Sequence, residues 1–286
     1  MNKYLLLLFT LIILFAGCDG GKMEEITQLE NHEIKMIKDV PESAWNNLAH
    51  NKFYFGHQSV GYNIIDGIND IMIENPQIQL NLVRTKDPEQ VKDGTFAHFD
   101  VGENTDPVSK LIDFAKSLEN GLGDKADYAL MKFCYVDFNT NTDVTKIFDQ
   151  YKTTYEALKT KFPNTTFIHV TTPLTSKQTD MKTISKNIIK GIIGRPVRTY
   201  KDNKTRNVFN EMLLNEYGGK EPIFNLAKIE STYSNGNTLI YQKNGEKFPV
   251  MVPDYTYDGG HLNDYGRKKV AEQFLIFLAE LTEKKD

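Results

Sequence analysis

Hydrophobic and polar positions change rhythm several times along this chain. Leu5–Phe15 is an almost unbroken apolar run, and Asp19 to about Lys38 is polar and poor in aromatics. Beyond that, short β-rich runs occur at Phe53-Tyr54-Phe55, Ile78–Val83, Tyr128–Val136, Thr166–Val170 and Ile223–Leu226. Between them apolar residues recur at helical spacing. From about Ser59 to Glu74, Ile64, Ile65, Ile68, Ile71 and Met72 share one side, and in Pro107–Glu119 Val108, Leu111, Ile112, Ala115 and Leu118 are in register. Val144–Lys161, about Thr205–Tyr217 and Tyr265–Leu281 are predicted as further helices.

Alternating strands and helices of these lengths predict parallel strands joined by crossover helices. The expected class is therefore α/β, a three-layer α/β/α sandwich around a central parallel sheet. Strands buried on both faces are apolar throughout, and Tyr128–Val136 comes close, with Lys132 the exception. No Pro/Gly/Ser linker and no repeat interrupts residues 38–286, so one domain is expected there, with 18–37 as a tether. Tyr233–Val252 alternates around Asn244-Gly245, the chemistry of a tight hairpin turn, and leads into Asp258.

The N-terminal run is short for a membrane-spanning helix, which needs roughly 20 residues, and fits the core of a signal peptide preceded by Lys3. Phe15-Ala16-Gly17-Cys18 resembles the lipobox of bacterial lipoproteins, with Phe15 where Leu is more usual. The resemblance implies a signal peptide over residues 1–17 and a lipid on the Cys18 thiol. It also implies membrane attachment through that lipid and a location in the cell envelope, outside the cytoplasm. An ordinary cleaved signal and an uncleaved anchor are the alternatives. No later stretch is long and apolar enough to span a bilayer.

Net charge is −4 with acids and bases interspersed, and the absence of a basic stripe argues against nucleic-acid binding. Apart from Cys18 the one cysteine is Cys134, inside an apolar run, where a buried core role is expected. No group of His, Asp or Glu has metal-ligand spacing and no glycine-rich phosphate loop is present, so neither metal nor cofactor is expected.

Reactive residues in such open sheets gather beyond the carboxyl ends of the strands. Two sequence segments draw attention there. In Phe55-Gly56-His57-Gln58-Ser59-Val60-Gly61 a strand meets a helix. Ser59 there is either an N-cap or a nucleophile at a helix N-terminus that favours developing negative charge. In Asp258-Gly259-Gly260-His261, before the last helix, a carboxylate three residues ahead of a histidine can accept the Nδ1 proton and leave Nε2 as a base. Asp254 and Asp264 are competing carboxylates, Asp264 being better explained as a helix cap.

Together these segments resemble the SGNH/GDSL hydrolase superfamily, whose members carry the nucleophilic serine after the first strand and Asp-x-x-His before the last helix. The resemblance spans essentially the whole domain. It implies a flavodoxin-like sandwich and ester hydrolysis through an acyl-serine on Ser59, with Asp258 and His261 and no metal. Small O-acyl esters, glycan O-acetyl groups among them, are the implied substrates. Gly56-His57-Gln58-Ser59 departs from the usual Gly-Asp-Ser; His57 either substitutes for the supporting aspartate or packs beside the strand. The oxyanion donors implied are the Ser59 N–H, the Gly102 N–H and the side chain of Asn104, although Asp100–Asn104 also suits a plain turn. The family's third-motif asparagine falls on Val136, which cannot donate; Asn139 and Asn141 are candidate replacements. Losing one such donor costs about 100- to 1000-fold in rate, so a binding lipoprotein with little or no catalysis is the competing expectation. His169 is expected to be a satisfied core histidine, and His98 to lie in a loop.

Overall fold

The computed structural model describes residues 24–28, 34–176, 202–243 and 245–283. The first elements are β1 (Glu24–Gln28), α1 (Glu42–Leu48), β2 (Phe53–His57), α2 (Val60–Glu74), β3 (Asn81–Arg84), β4 (Thr95–Asp100) and α3 (Pro107–Ser117). They are followed by β5 (Tyr128–Met131), α4 (Val144–Lys161), β6 (Thr166–Val170), α5 (Asp202–Tyr217) and β7 (Ile223–Phe224). The chain continues with α6 (Leu226–Ser231), β8 (Thr238–Lys243), β9 (Glu246–Pro249) and α7 (Asp264–Glu283). Cys18 and residues 1–17, where the signal peptide and lipid site are expected, lie outside the described residues.

Alternation along β2 sets the layers. Phe53 and Phe55 join one buried cluster with α1, α2 and α7, whereas Tyr54 joins a second with α3, α4 and α5. Between these layers lies a six-stranded sheet in the order β3-β4-β2-β5-β6-β7. Every pairing in it is parallel. This is the expected α/β/α sandwich with a central parallel sheet. From β2 the chain runs out to the β3 edge, returns through β4, then crosses β2 to build the other half. β2 and β5 therefore flank the point where the winding reverses, where a crevice opens at the carboxyl ends.

α4 and β6 fall where the pattern predicts, and the β8–β9 hairpin pairs antiparallel with Lys243 opposite Glu246. Of its two turn residues, Asn244 lies outside the described residues. Several expectations are corrected. Thr95–Asp100 is a strand whose polar residues hid it, and α1 and α6 were not anticipated. β5 ends at Met131, because the chain turns away into a 3-10 turn over Tyr135–Asp137, where the Asp137 carboxylate accepts the Cys134 N–H at 2.7 Å. Ile78 sits in a turn before β3, its N–H bonded to Asn75 O at 2.9 Å. Asn263, not Asp264, caps α7, accepting the Gly266 N–H at 2.8 Å. Glu24–Gln28, within the segment expected as tether, pairs antiparallel with β8.

Candidate active site

Ser59 stands just beyond β2 at the start of α2, with φ 53° and ψ −112°. A left-handed φ at a non-glycine residue costs about 1–3 kcal/mol and persists only where the surroundings impose it. Its side chain makes no capping hydrogen bond to α2. The first turn is closed by backbone bonds instead, Gly61 N to Gln58 O at 3.0 Å and Tyr62 N to Ser59 O at 2.9 Å. The hydroxyl is thus left free of the helix, and Ser59 Oγ lies 2.8 Å from His261 Nε2.

His261 is delivered by a closed loop. Thr256 and Leu262 bridge across its base, and the Thr256 hydroxyl donates to His261 O at 2.6 Å. The Leu262 N–H donates to Asn63 Oδ1 of α2 at 3.1 Å, so the loop is fixed to the helix that carries the serine. Asp258 Oδ1 accepts the N–H groups of Gly260 and His261 at 2.9 and 2.7 Å, and Oδ2 lies 2.7 Å from His261 Nδ1. Burial pushes this carboxyl up, but hydrogen bonds from the His261 ring and the two N–H groups outweigh it and bring the pKa down to about 2. Asp258 is therefore ionised and accepts a hydrogen bond from Nδ1–H, leaving Nε2 as acceptor for the serine. Of the competing carboxylates, Asp264 pairs with Arg267 at 3.0 Å, and Asp254 lies in the turn before the loop, where its backbone carbonyl accepts the Asn263 amide at 2.8 Å.

The three oxyanion candidates are treated differently by the fold. The Ser59 N–H is taken by no hydrogen bond among the described residues. Asn104 Oδ1 accepts from Lys110 Nζ at 3.0 Å, which turns its amide nitrogen to other acceptors. The Gly102 N–H donates to Asp113 Oδ2 at 2.9 Å. Gly102 has φ +52°, and a Cβ there would lie 2.4 Å from Lys110 N, so α3 backbone packing accounts for this glycine without an oxyanion role. Val136 is half-buried in the turn after β5. Asn139 and Asn141 are exposed, Asn139 Oδ1 accepting the Asn141 N–H at 2.9 Å in a local turn, and among the described residues no hydrogen bond joins either to Ser59.

Sequence reasoning missed the scaffold beneath these groups. The Gln58 side chain donates to the carbonyls of Val101, at 3.1 Å, and Gly102, tying the serine turn to the loop after β4. Lys110 and Asp137 form a buried ion pair at 2.6 Å, and Asp137 also accepts the N–H groups of Thr105 and Cys134. His98 is not in a loop: it lies in β4, its Nδ1 3.0 Å from His57 Nε2. Burial, then the nearby cations Lys132 and Arg84, hold His57 well below the usual histidine range. Burial and Arg84 bring His98 down to about 4. Two neutral imidazoles can share one N–H···N bond, so His57 supports the strand end and is no substitute for an aspartate. Recognising β4 would have exposed this pair. His169 is the expected core histidine, bonded to the Tyr151 hydroxyl at 2.7 Å and to Glu221 at 3.1 Å, and Cys134 is buried. Among the described residues no cluster of three or more His, Cys, Asp or Glu could hold a metal ion.

No protein-family model and no curated protein matches the chain. Among solved structures it is similar to a Streptococcus pneumonia protein provisionally described as a platelet activating factor. That match has 10% identity and a TM-score of 0.48, covering 85% of this chain and 94% of the other. A second, from Desulfitobacterium hafniense DCB-2 and provisionally described as a lipolytic protein of the G-D-S-L family, matches at 9% identity and a TM-score of 0.45, covering 79% and 98%. A carbohydrate esterase family 3 protein from Talaromyces cellulolyticus matches at 12% identity and a TM-score of 0.45, covering 81% and 96%.

Proposed function

We propose that the chain is a serine esterase that hydrolyses small O-acyl esters, glycan O-acetyl groups among them, through an acyl-serine intermediate. The observation that carries this reading is the continuous line from Ser59 Oγ through His261 to Asp258, with the serine released from helix capping. Ser59 Oγ attacks the ester carbonyl while its proton passes to His261 Nε2. The oxyanion meets the Ser59 N–H at the start of α2, with the Asn104 amide as a second donor. Collapse breaks the bond to the alcohol oxygen, which takes the proton back from Nε2. Water then repeats the sequence, releasing the acid and restoring Ser59. Asp258 orients the imidazole and stabilises its charged form. The Met1–Cys18 segment supports a cell-envelope location through lipid on Cys18.

In the test, full-length protein cleaves short activated acyl esters, and Ser59→Ala and His261→Ala each remove at least about 1000-fold of the rate. Because nucleophile and base act as a unit, the double variant is scarcely worse than either alone. Asp258→Asn costs less than Ser59→Ala, and a serine-reactive phosphonate labels Ser59. Hydrolysis undiminished in Ser59→Ala removes the assignment. One observation favours a binding protein instead: the engaged Gly102 N–H together with Val136 at the third motif. Inactivity across a broad ester panel, with Ser59 unlabelled, selects that alternative.

A further inference from the structure

Tyr257 precedes the Asp258 carboxylate by one residue, yet it is 69% exposed, among the most exposed large apolar side chains described. Its ring lies nearly parallel to His261, at 13° with centroids 6.1 Å apart. The loop presenting both is already closed by the Thr256–Leu262 bridge and the hydrogen bonds of Asp258, so the backbone that carries the ring is fixed.

Reaction geometry says which part of a substrate meets it. His261 Nε2 must return its proton to the departing alcohol oxygen, so the alcohol portion lies on the His261 side and the acyl group beyond Ser59. An exposed ring beside His261 therefore touches the leaving alcohol. Its surroundings are polar: Thr256 and Asp258 flank it in the chain, the Thr256 hydroxyl bonded to His261 O and the Asp258 carboxylate to the His261 ring. The other exposed apolar side chains, such as Ile73, Ile112 and Leu214, belong to α2, α3 and α5. An alkyl alcohol would need a continuous apolar wall. A pyranose ring offers one face of C–H groups, slightly positive, and a rim of hydroxyls, which suits one aromatic face in polar surroundings.

We infer that Tyr257 is a leaving-group platform selecting esters whose alcohol is a sugar ring, an inference that rests on the esterase reading for its orientation. The test compares full-length protein with Tyr257→Ala and Tyr257→Phe on two acetates, a mono-O-acetyl methyl glycopyranoside and ethyl acetate. Tyr257→Ala lowers kcat/KM for the sugar ester relative to ethyl acetate by about three- to tenfold, chiefly through KM, and Tyr257→Phe restores the ratio. An unchanged ratio overturns the proposal, as does a selective loss on a long-chain alkyl acetate instead. Binding of the unacylated methyl glycopyranoside, followed by ligand NMR on Ser59→Ala protein, is measured alongside. Its loss in the Ser59→Ala, Tyr257→Ala double variant supports the platform even if no ester is cleaved, the outcome that would sink only the esterase reading. No glycoside binding at all, or binding indifferent to Tyr257, overturns the platform itself.

Discussion

Asp137 and Glu230 are both buried carboxyl groups, and their partners differ. Asp137 faces the Lys110 ammonium and two backbone N–H groups. Glu230 accepts the Leu174 N–H through Oε2, and its Oε1 has no hydrogen-bond partner. Burial pushes Glu230 up to about 8 despite that N–H and the cations Lys132 and Arg206. Between its ordinary value near 4.5 and about 8 the folded protein keeps a proton that the unfolded chain releases. Stability is therefore fully present below about 4.5 and falls as pH rises, by up to about 1.4 kcal/mol per pH unit, until the folded group itself ionises. Glu230→Gln keeps an acceptor for Leu174 and removes the titration. Its melting temperature minus that of the unaltered protein should widen from pH 5 to pH 8 and then level off; a difference independent of pH would show that Glu230 is not a buried neutral acid. At this scale the sequence singled out Ser59, Asp258 and His261, which the fold brings within hydrogen-bond distance, because Asp258 and His261 lie three residues apart and Ser59 follows a strand end. Glu230, Gln58 and the His57–His98 pair stayed hidden because their roles come from long-range burial.

At the scale of elements, α2 and α7 bring the serine and the histidine together. Ser59 begins one helix, His261 immediately precedes the other, and they meet at Gly67. A Cβ on Gly67 would lie 2.4 Å from Arg267 O and 2.8 Å from Ala271 Cβ. Nearby, Arg267 Nε pairs with Asp70 at 2.8 Å. Glycine to alanine inside a helix ordinarily gains about 1 kcal/mol. Here the obstacle is backbone carbonyl, which cannot rotate away, and overpacking costs about 1–3 kcal/mol. The clash wins. Gly67→Ala should lose about 1 kcal/mol in urea unfolding and lower kcat/KM by parting the two helices; a stabilised, fully active variant would show that α2 and α7 are not in contact there. The helices were legible in advance because their apolar stripes are long, α4 to the residue. β4 was not: Thr95 and His98 are buried polar residues that interrupt an apolar run, satisfied only once β2 and β3 lie beside them. The strand expected to continue to Val136 failed for the converse reason, since its apolar tail packs in a turn rather than a sheet.

Across the whole molecule, the strand–helix alternation carried the three-layer architecture and the turn at Asn244-Gly245 the β8–β9 hairpin, while the addition of β1 to that hairpin joins distant segments that no local pattern reports. That sheet bears on attachment, because β1 ties the N-terminal segment to the domain a few residues beyond Cys18. Between Asp19 and Lys38 there are five acidic residues and three lysines, so the segment offers no basic patch for an anionic membrane surface. Among the described residues no helix is long and apolar enough to cross a bilayer. On the proposed reading the attachment is through lipid on Cys18, and stable anchoring without a basic patch takes more than one acyl chain, at about 0.8 kcal/mol per buried methylene. Such binding does not depend on charge and should survive a high-salt wash. The expected result is that full-length protein stays with the membrane in high salt, leaves it in detergent and carries labelled fatty acid. A version exported behind an ordinary cleavable signal in place of residues 1–18 should be recovered in the soluble fraction, folded and equally active on ethyl acetate. If that version still sediments with membranes after the salt wash, or if the full-length protein takes up no fatty acid, Cys18 is not the anchor.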